Sequence, residues 1–253
     1  MFNLHTHTYR CHHASGKDEE YVIKAIENGY STIGFSDHAP YLFPNGYVSS
    51  FRMLPNEAEG YAKSINSLKE KYKGKIDIKL GFELEYYPAL FEKEIEFLKT
   101  FNYDYLILGQ HYVDNEYEDY AIYSDSPTKS PAVLDKYISQ VILGAKSGYY
   151  TYVAHPDLIN FKGDSELYIK KMTYMITELK KIGIPLEFNF LGFTAKRNYP
   201  NLDFWKIVSK VGNDVVIGLD AHNPSVYNDK ENLQKAKQIL QNLNITPLDK
   251  IEL

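Results

Sequence analysis

The sequence predicts an α/β fold in which seven parallel strands form a (β/α)7 barrel and a helix follows each strand. Short apolar, β-branched segments alternate along the chain with longer segments of helical spacing. Connections of this length join parallel strands through right-handed crossovers. No glycine-rich phosphate loop follows a strand segment, which disfavours an open nucleotide-binding sheet. A barrel is favoured because each strand segment ends in a His, Asp or Glu, and a circular arrangement lets these ends converge.

The predicted strands are segments rich in Val, Ile, Leu and aromatic residues. Each is followed by polar residues that could bind a metal or take part in catalysis. In chain order they are 2–4 with His5 and His7, 30–35 with Asp37 and His38, 76–80 with Glu83, 103–108 with His111, 149–153 with His155, 184–186 with Glu187 and Asn189, and 215–219 with Asp220 and His222. The helical spacing between them predicts helices over 17–29, 56–73, 90–100, 131–147, 165–182, 202–211 and 229–242.

Length and composition limit the class of protein. The 253 residues are 44% hydrophobic and 24% charged, which predicts one globular domain over 1–253, or at most two domains. No apolar run approaches the roughly 18 residues needed to span a bilayer, and the N-terminus lacks a secretion signal, so we expect a cytoplasmic protein without a membrane partner. The net charge of −5, without a basic block, argues against a nucleic-acid partner. Oligomeric state is left open.

The eight histidines all lie in or beside a strand end, and none lies on a predicted helix. They are His5, His7, His12, His13, His38, His111, His155 and His222. A single histidine is more often a surface or hydrogen-bonded core residue than a ligand, but that explanation does not account for the whole set. The only cysteine, Cys11, excludes a multi-cysteine zinc site. The pattern therefore predicts a metal site built from imidazoles and carboxylates.

The first motif fits such a site geometrically. His5 and His7 are two residues apart on an extended segment, so both imidazoles project from the same face and can bind one ion. A His-x-His pair is weak support by itself. It becomes specific through the residues that join it at the other strand ends.

The motifs at these strand ends, taken in order, resemble those of the PHP (polymerase and histidinol phosphatase) superfamily. They are H-T-H-T at residue 5, S-D-H at 36, G-F-E-L-E-Y at 81, Q-H-Y at 110, A-H-P-D-L at 154, E-F-N at 187 and D-A-H-N-P at 220. The resemblance extends from His5 to Pro224. Within the superfamily, C-x-H, H-P-D-L and the E-x-N segment followed by Tyr199-Pro200 resemble the monofunctional histidinol-phosphate phosphatase branch.

This resemblance implies a distorted, TIM-like seven-stranded barrel with two to three divalent metal ions, which could be Zn, Fe or Mn. Carried over by motif, the ligands form three groups. His5, His7, Glu83 and Asp220 would hold the first metal, Glu83 with His111 and His155 the second, and His13, His38 and His222 the third. A one-residue shift in the C-x-H motif would replace His13 with His12, and motif spacing favours His13.

Residues beside these ligands have predicted supporting roles. Asp37, Glu85 and Asp157 are expected to accept hydrogen bonds from ligand imidazoles and so to orient them. Cys11 is expected to be a packed small residue and not a nucleophile, since a metal-bound hydroxide makes a covalent step unnecessary.

The predicted site favours a phosphomonoester as substrate. Seven neutral imidazoles and two carboxylates around three divalent ions leave a formal charge of roughly +4, which attracts a dianion. A hydroxide bridging the metals would attack the phosphoryl group in line. The family branch implies L-histidinol phosphate as the substrate, with another small phosphomonoester or a nucleotide as the alternative. A nuclease role lacks a basic track for a strand, and a non-catalytic metal-binding role does not explain the complete ligand set.

Substrate contacts are expected in the two longest irregular segments beside the ligands, 39–56 and 190–201. Arg52 and Arg197 are the predicted phosphate ligands, because a guanidinium can bind phosphate through two hydrogen bonds; Lys162 is a weaker third candidate. An imidazole-bearing substrate could pack against aromatic side chains near the site. The candidates are Tyr41, Phe43, Tyr86, Tyr87 and Tyr112.

Overall fold

Seven parallel strands form the sheet at the centre of the protein, as described by a computed structural model of residues 1–253. The strands of the protein are β1 (Phe2–Asn3), β2 (Thr32–His38), β3 (Asp77–Glu83), β4 (Tyr105–Leu108), β5 (Tyr112–Val113), β6 (Ile122–Tyr123), β7 (Tyr152–Val153), β8 (Leu186–Asn189) and β9 (Val215–Gly218). The order in the central sheet is β1-β2-β3-β4-β7-β8-β9, so its seven strands lie side by side in the order in which they occur along the chain. β5 and β6 form a separate antiparallel hairpin.

The first and last strands approach each other beyond their regular ends and nearly close the sheet into a barrel. Thr6 and Ala221 form a parallel bridge, in which the His7 amide donates to the Ala221 carbonyl at 3.0 Å and the Ala221 amide donates to the His5 carbonyl at 3.1 Å. This bridge confirms the predicted barrel. It also places His5 and His7, which follow β1, beside Asp220 and His222, which follow β9.

Helices follow the strands as predicted. They are α1 (Asp18–Glu27), α2 (Ala58–Lys71), α3 (Phe91–Lys99), α4 (Pro131–Lys146), α5 (Ser165–Ile182), α6 (Phe190–Thr194), α7 (Leu202–Val211) and α8 (Lys230–Asn242). Local sequence sets several ends: the Asp164 side chain accepts a hydrogen bond from the Leu167 amide at the start of α5, and Gly183 ends that helix at φ 80°. All seven predicted helices are present, and the short helix α6 is an addition.

The strands differ from the predictions in their boundaries and in their number. Three strands, β2, β3 and β8, continue through polar residues that were expected to follow them, because these residues pair in register with a neighbouring strand; they are Asp37 and His38, Glu83, and Glu187 and Asn189. The hairpin β5–β6 was not predicted, since each of its strands has only two residues. The hairpin follows His111 and contributes to the wall above the site.

The barrel interior is filled below the strand ends by a small apolar cluster. Its members are Leu4, Tyr105, Ile107, Tyr152, Ala154 and Val216. The Tyr105 ring crosses the interior and its hydroxyl donates to the Leu4 carbonyl at 2.7 Å. Gly34 and Gly81 leave space for this ring, because a Cβ at either position would lie within 2.5 Å of a Tyr105 atom. A larger apolar cluster of 55 residues packs the helices against the outside of the sheet.

None of the helices combines the length and the apolar composition that crossing a membrane would require.

Candidate metal centre

The carboxyl ends of the strands surround a cavity of about 460 Å³ at one mouth of the barrel. Histidines and carboxylates lie at its floor, and aromatic side chains and one arginine lie at its wall. The lining residues are His13, His38, Ser50, Phe51, Glu83, His111, Tyr112, Tyr123, His155, Leu191, Arg197, Tyr199, Asp220 and His222.

The His-x-His pair lies at the bottom of this cavity. The Nε2 atoms of His5 and His7 are 3.2 Å apart, and both rings are fully buried. The Asp220 Oδ1 atom lies 3.1 Å from Nε2 of His7 and 3.5 Å from Nε2 of His5. Three donor atoms from the first and last strands therefore converge on one point, as the bridge between those strands requires.

Glu83 lies between this pair and two further histidines. Its Oε1 atom is 2.8 Å from Nε2 of His155 and 3.6 Å from Nε2 of His111. Gly109 makes this position possible, because a Cβ there would lie 2.0 Å from Oε1. Burial opposes ionisation of the carboxyl, but the surrounding imidazoles outweigh it and hold the pKa of Glu83 well below its usual range.

A third group lies nearer to the solvent. Nε2 of His13 is 2.9 Å from Nε2 of His222, and the His38 ring centroid is 5.4 Å from that of His13. The chain turns at His12, whose φ of 66° is left-handed; His12 is exposed and does not line the cavity. The structure thus brings His13 to the site and leaves His12 outside, as the motif spacing favours.

Hydrogen bonds fix which nitrogen of these rings faces the cavity. Nδ1 of His13 lies 2.7 Å from the Cys11 carbonyl, and Nδ1 of His222 lies 2.9 Å from the Asp220 carbonyl. A carbonyl can only accept, so both Nδ1 atoms carry hydrogen, and burial lowers the pKa of both rings, that of His222 to about 3. The two Nε2 atoms therefore face the same side of the cavity, where one cation could bind both.

The imidazole and carboxylate ligand atoms, and two buried atoms among them that lack a hydrogen-bond partner, agree with metal binding. Oε2 of Glu83 and Nδ1 of His38 are both buried, 3.1 Å apart, and neither forms a hydrogen bond. Groups of three ligand atoms within 4.8 Å of one another include His7-His38-His222, His5-Glu83-His155 and His5-His7-Asp220. Imidazole and carboxylate ligands suit Zn, Fe and Mn. The nine predicted ligands meet at one site, and their binding of metal stays a prediction.

Two of the three predicted supporting carboxylates contact the expected imidazoles. Oδ1 of Asp37 accepts from Nδ1 of His7 at 3.3 Å, and Oε1 of Glu85 accepts from Nδ1 of His111 at 2.8 Å. The prediction for Asp157 is wrong. Its Oδ2 atom accepts from the Asn201 amide at 2.6 Å and from the Trp205 indole at 3.0 Å, so this carboxylate anchors the start of α7.

Glu187 is a supporting residue that the sequence predictions missed. Its Oε2 atom accepts from Nδ1 of His5 at 2.7 Å, and Oε1 accepts from the side-chain amide of Asn189 at 2.6 Å. The same amide donates to Oδ2 of Asp220 at 3.1 Å. Gly218 leaves room for Glu187, since a Cβ there would lie 2.1 Å from its Oε2. The sequence signal that could have identified it is the pair of polar residues, Glu187 and Asn189, at the end of β8.

The structure contradicts the prediction that Arg52 binds phosphate. This side chain is only 2% exposed and does not line the cavity. Its five N–H groups are engaged by Glu85, Glu116 and the Ala39 carbonyl, so none remains for a substrate. Arg52 lies behind the wall of the site because two buried carboxylates attract it there.

Arg197 does line the cavity. Within the protein it forms one side-chain hydrogen bond, a donation from Nη1 to the Tyr199 hydroxyl at 2.9 Å, so its other N–H groups are free for a ligand. Lys162 is exposed and lies outside the lining.

Most of the aromatic residues that line the cavity are not the ones predicted from the sequence. Only Tyr112 of the predicted set lines the cavity, together with Phe51, Tyr123 and Tyr199. The buried Tyr41 and Tyr87 and their neighbours Phe43 and Tyr86 pack behind this wall or against α3, where they bury apolar area. Cys11 is fully buried, and burial raises the pKa of its thiol, which agrees with a packed and not a nucleophilic residue.

Comparison with known proteins agrees with this geometry. The sequence profile of the PHP domain matches residues 3–191, which contain the strands β2 to β8 and seven of the nine converging side chains. The chain belongs to the PHP domain family.

Relatives within this family have names that describe one activity. A Deinococcus radiodurans protein named probable histidinol-phosphatase is 29% identical over 240 residues, covering 88% of this chain and 87% of that protein. The histidinol-phosphatase of Bacillus subtilis is 33% identical over 118 residues, 43% of each chain. A solved structure of histidinol phosphate phosphatase from Lactococcus lactis, complexed with zinc, L-histidinol and phosphate, matches with a TM-score of 0.76 at 20% identity, covering 99% of this chain and 96% of that one. At that identity the structural match establishes the fold of this PHP domain.

Proposed function

We propose that the protein is a metal-dependent phosphatase that hydrolyses L-histidinol phosphate to L-histidinol and phosphate. The observation that carries this proposal is the convergence of seven imidazoles and two carboxylates at the floor of one cavity, beneath a free guanidinium. The names of the relatives and the ligands of the Lactococcus lactis enzyme support the choice of substrate. Residues 1–253 would act as a single phosphoesterase domain, since one nearly closed sheet includes the first and last strands.

Two to three divalent metals would bind in the three groups that the family motifs imply. The first group is His5, His7, Glu83 and Asp220; the second is Glu83, His111 and His155; the third is His13, His38 and His222. When bound, the metals would supply a nucleophile by lowering the pKa of coordinated water and would neutralise charge on the phosphoryl oxygens.

Neighbouring carboxylates would keep the ligand imidazoles in the right orientation. Glu187, Asp37 and Glu85 accept the Nδ1–H of His5, His7 and His111 respectively, which directs each Nε2 lone pair into the site. Such hydrogen bonds also make the imidazole a stronger metal ligand. Metal binding is therefore expected to depend on these carboxylates as well as on the histidines.

The cavity wall would bind the substrate. The free N–H groups of Arg197 can donate to two phosphate oxygens, which holds the phosphoryl group above the floor. Phe51 and Tyr112 stack with ring centroids 6.0 Å apart and offer apolar surface to a flat leaving group. The imidazole of histidinol is such a group. Another small phosphomonoester or a nucleotide remains the alternative substrate.

The test is phosphate release from L-histidinol phosphate compared with a panel of sugar phosphates, amino-alcohol phosphates and nucleotides, on protein whose metal content is measured in the same sample. We expect histidinol phosphate to have the highest kcat/KM and activity to be lost with a chelator. Full activity of metal-free protein would refute the metal-dependent mechanism. A higher kcat/KM for another ester would replace the substrate and keep the site.

A further inference from the structure

A buried ion cluster lies directly behind the wall of the site. Its members are Arg52, Glu85 and Glu116, all no more than 5% exposed. Nη1 and Nη2 of Arg52 donate to the two carboxylate oxygens of Glu85 at 3.1 and 2.9 Å, and Nε donates to Glu116 at 3.1 Å. These residues come from different loops: Arg52 follows β2, Glu85 follows β3, and Glu116 lies between β5 and β6.

The cluster contacts the metal site on one side. Oε1 of Glu85, which accepts from Arg52, also accepts from Nδ1 of His111 at 2.8 Å. The planar guanidinium holds both oxygens of this carboxylate, so the carboxylate cannot rotate away from the imidazole. The orientation of His111 thus depends on Arg52 through one intervening residue.

The cluster contacts the substrate wall on another side. The guanidinium carbon of Arg52 lies 4.5 Å from the ring centroid of Phe51, a cation–π distance. Phe51 in turn lies 5.1 Å from the His38 ring, 5.8 Å from the His111 ring and 6.0 Å from the Tyr112 ring, measured between centroids. Arg52 therefore supports an aromatic side chain that lies against two of the proposed ligand imidazoles and against the wall residue Tyr112.

We propose that Arg52 is a positioning residue that fixes the metal ligand His111 through Glu85 and the substrate wall through Phe51. A buried ion cluster of this kind is costly to desolvate and is a weak source of net stability, so its value lies in the geometry it imposes. The statement about Phe51 rests on the function proposed above. The statement about His111 requires only that the site binds metal.

The experiment compares Arg52→Lys and Phe51→Leu with the wild type. Zinc affinity is measured by competition with a chromophoric chelator, and kcat and KM are measured for L-histidinol phosphate and for 2-aminoethyl phosphate, which has an ammonium group but no ring. Arg52→Lys should weaken binding of at least one zinc ion by about 10- to 100-fold, because a lysine supplies a point charge and not a planar fork. It should also raise KM for histidinol phosphate more than KM for the ringless ester.

Phe51→Leu separates the two effects. It should raise KM for histidinol phosphate relative to the ringless ester and leave zinc affinity unchanged. Glu94→Gln is the matched control. Glu94 is a buried carboxyl whose Oε2 accepts from the backbone amide of Leu42, in the loop that also carries Arg52, at 3.1 Å, and it forms no hydrogen bond with His111 or with the ion cluster. Glutamine keeps that acceptor, so zinc affinity and the ratio of KM values should match those of the wild type.

Thermal unfolding is recorded for each variant. If Arg52→Lys does not fold, Glu116→Ala is used to test the proposal. This variant is expected to fold because the neighbours of Glu116 in the hairpin loop are largely half-buried or exposed, and it removes one of the two carboxylates that hold Arg52. It should change zinc affinity and the KM ratio in the same directions. A folded Arg52→Lys or Glu116→Ala protein with wild-type zinc affinity and KM ratio would overturn the proposal. If the wild type binds zinc but does not hydrolyse histidinol phosphate, the proposed function fails while the zinc measurement still tests Arg52 and His111.

Discussion

Replacing Arg197 with alanine tests the proposed phosphate contact. Arg197 lines the cavity, and its one side-chain hydrogen bond within the protein, to the Tyr199 hydroxyl, leaves donors free for two phosphate oxygens. Hydrogen bonds to a charged group are worth about 1.5 to 3 kcal/mol, so kcat/KM should fall about ten- to a hundredfold. Arg197→Lys should recover little of this loss, because an ammonium cannot reproduce the planar pair of donors.

The assay is steady-state phosphate release, with metal content measured on the same samples. The loss for Arg197→Ala should be similar for histidinol phosphate and for a small generic ester, because the contact is to the phosphate and not to the leaving group. Metal content should not change, since Arg197 has no hydrogen bond to any of the nine proposed ligands. Lys162→Ala is the matched control. That side chain is exposed and outside the cavity, so its removal should leave kcat/KM within about twofold of the wild type.

Two results would refute this reasoning. If Arg197→Ala has wild-type kinetics, the guanidinium does not bind phosphate, and no other arginine lines the cavity to replace it. If Arg197→Ala loses activity together with metal, the residue supports the metal site and its role as a substrate ligand is wrong.

Three further predictions concern the metal site and a buried carboxyl. Glu83→Gln should reduce the metal content by more than one ion per chain, because this carboxylate lies between two groups of histidines; metal analysis that finds a full complement would contradict its bridging role. His13→Ala should deplete one metal and lower turnover. His12→Asn should change neither, and asparagine is chosen because it tolerates the left-handed backbone at that position. The opposite pattern would make His12 the ligand. Glu94→Gln should remove a pH dependence of stability. Burial raises the pKa of Glu94 from 4.5 to about 8, so between these pH values the folded protein keeps a proton that the unfolded chain has released. The free energy of unfolding of the wild type therefore falls as the pH rises from 4.5 to about 8. Between pH 5 and 8 the wild type should lose about 3 kcal/mol of unfolding free energy relative to the variant, measured by urea denaturation, and parallel curves would contradict this.

The sequence predicted the helices and the polar strand ends well because both depend on local patterns. Apolar spacing specifies which segments become helices and strands, and parallel strands in a barrel place all their carboxyl ends at one mouth. Once the strands were located, convergence of the histidines followed. The supporting role of Glu187 could not be read in the same way, because it depends on pairing of β8 with β9 and on the space that Gly218 leaves beside it.

Loop residues were predicted less well, and Arg52 shows the physical reason. The sequence alone determined that an arginine follows β2 near the ligands, which suggested a phosphate contact. The tertiary structure decided its role by placing Glu85 and Glu116, 33 and 64 positions away in the chain, at two edges of its guanidinium. A long flexible cation in a loop turns toward whichever anions the fold brings closest, and those distant pairings have no periodic signal in the sequence. The sequence therefore determined the barrel and the metal-ligand chemistry at its mouth, whereas only the tertiary structure decided which arginine faces the substrate and which one supports the wall.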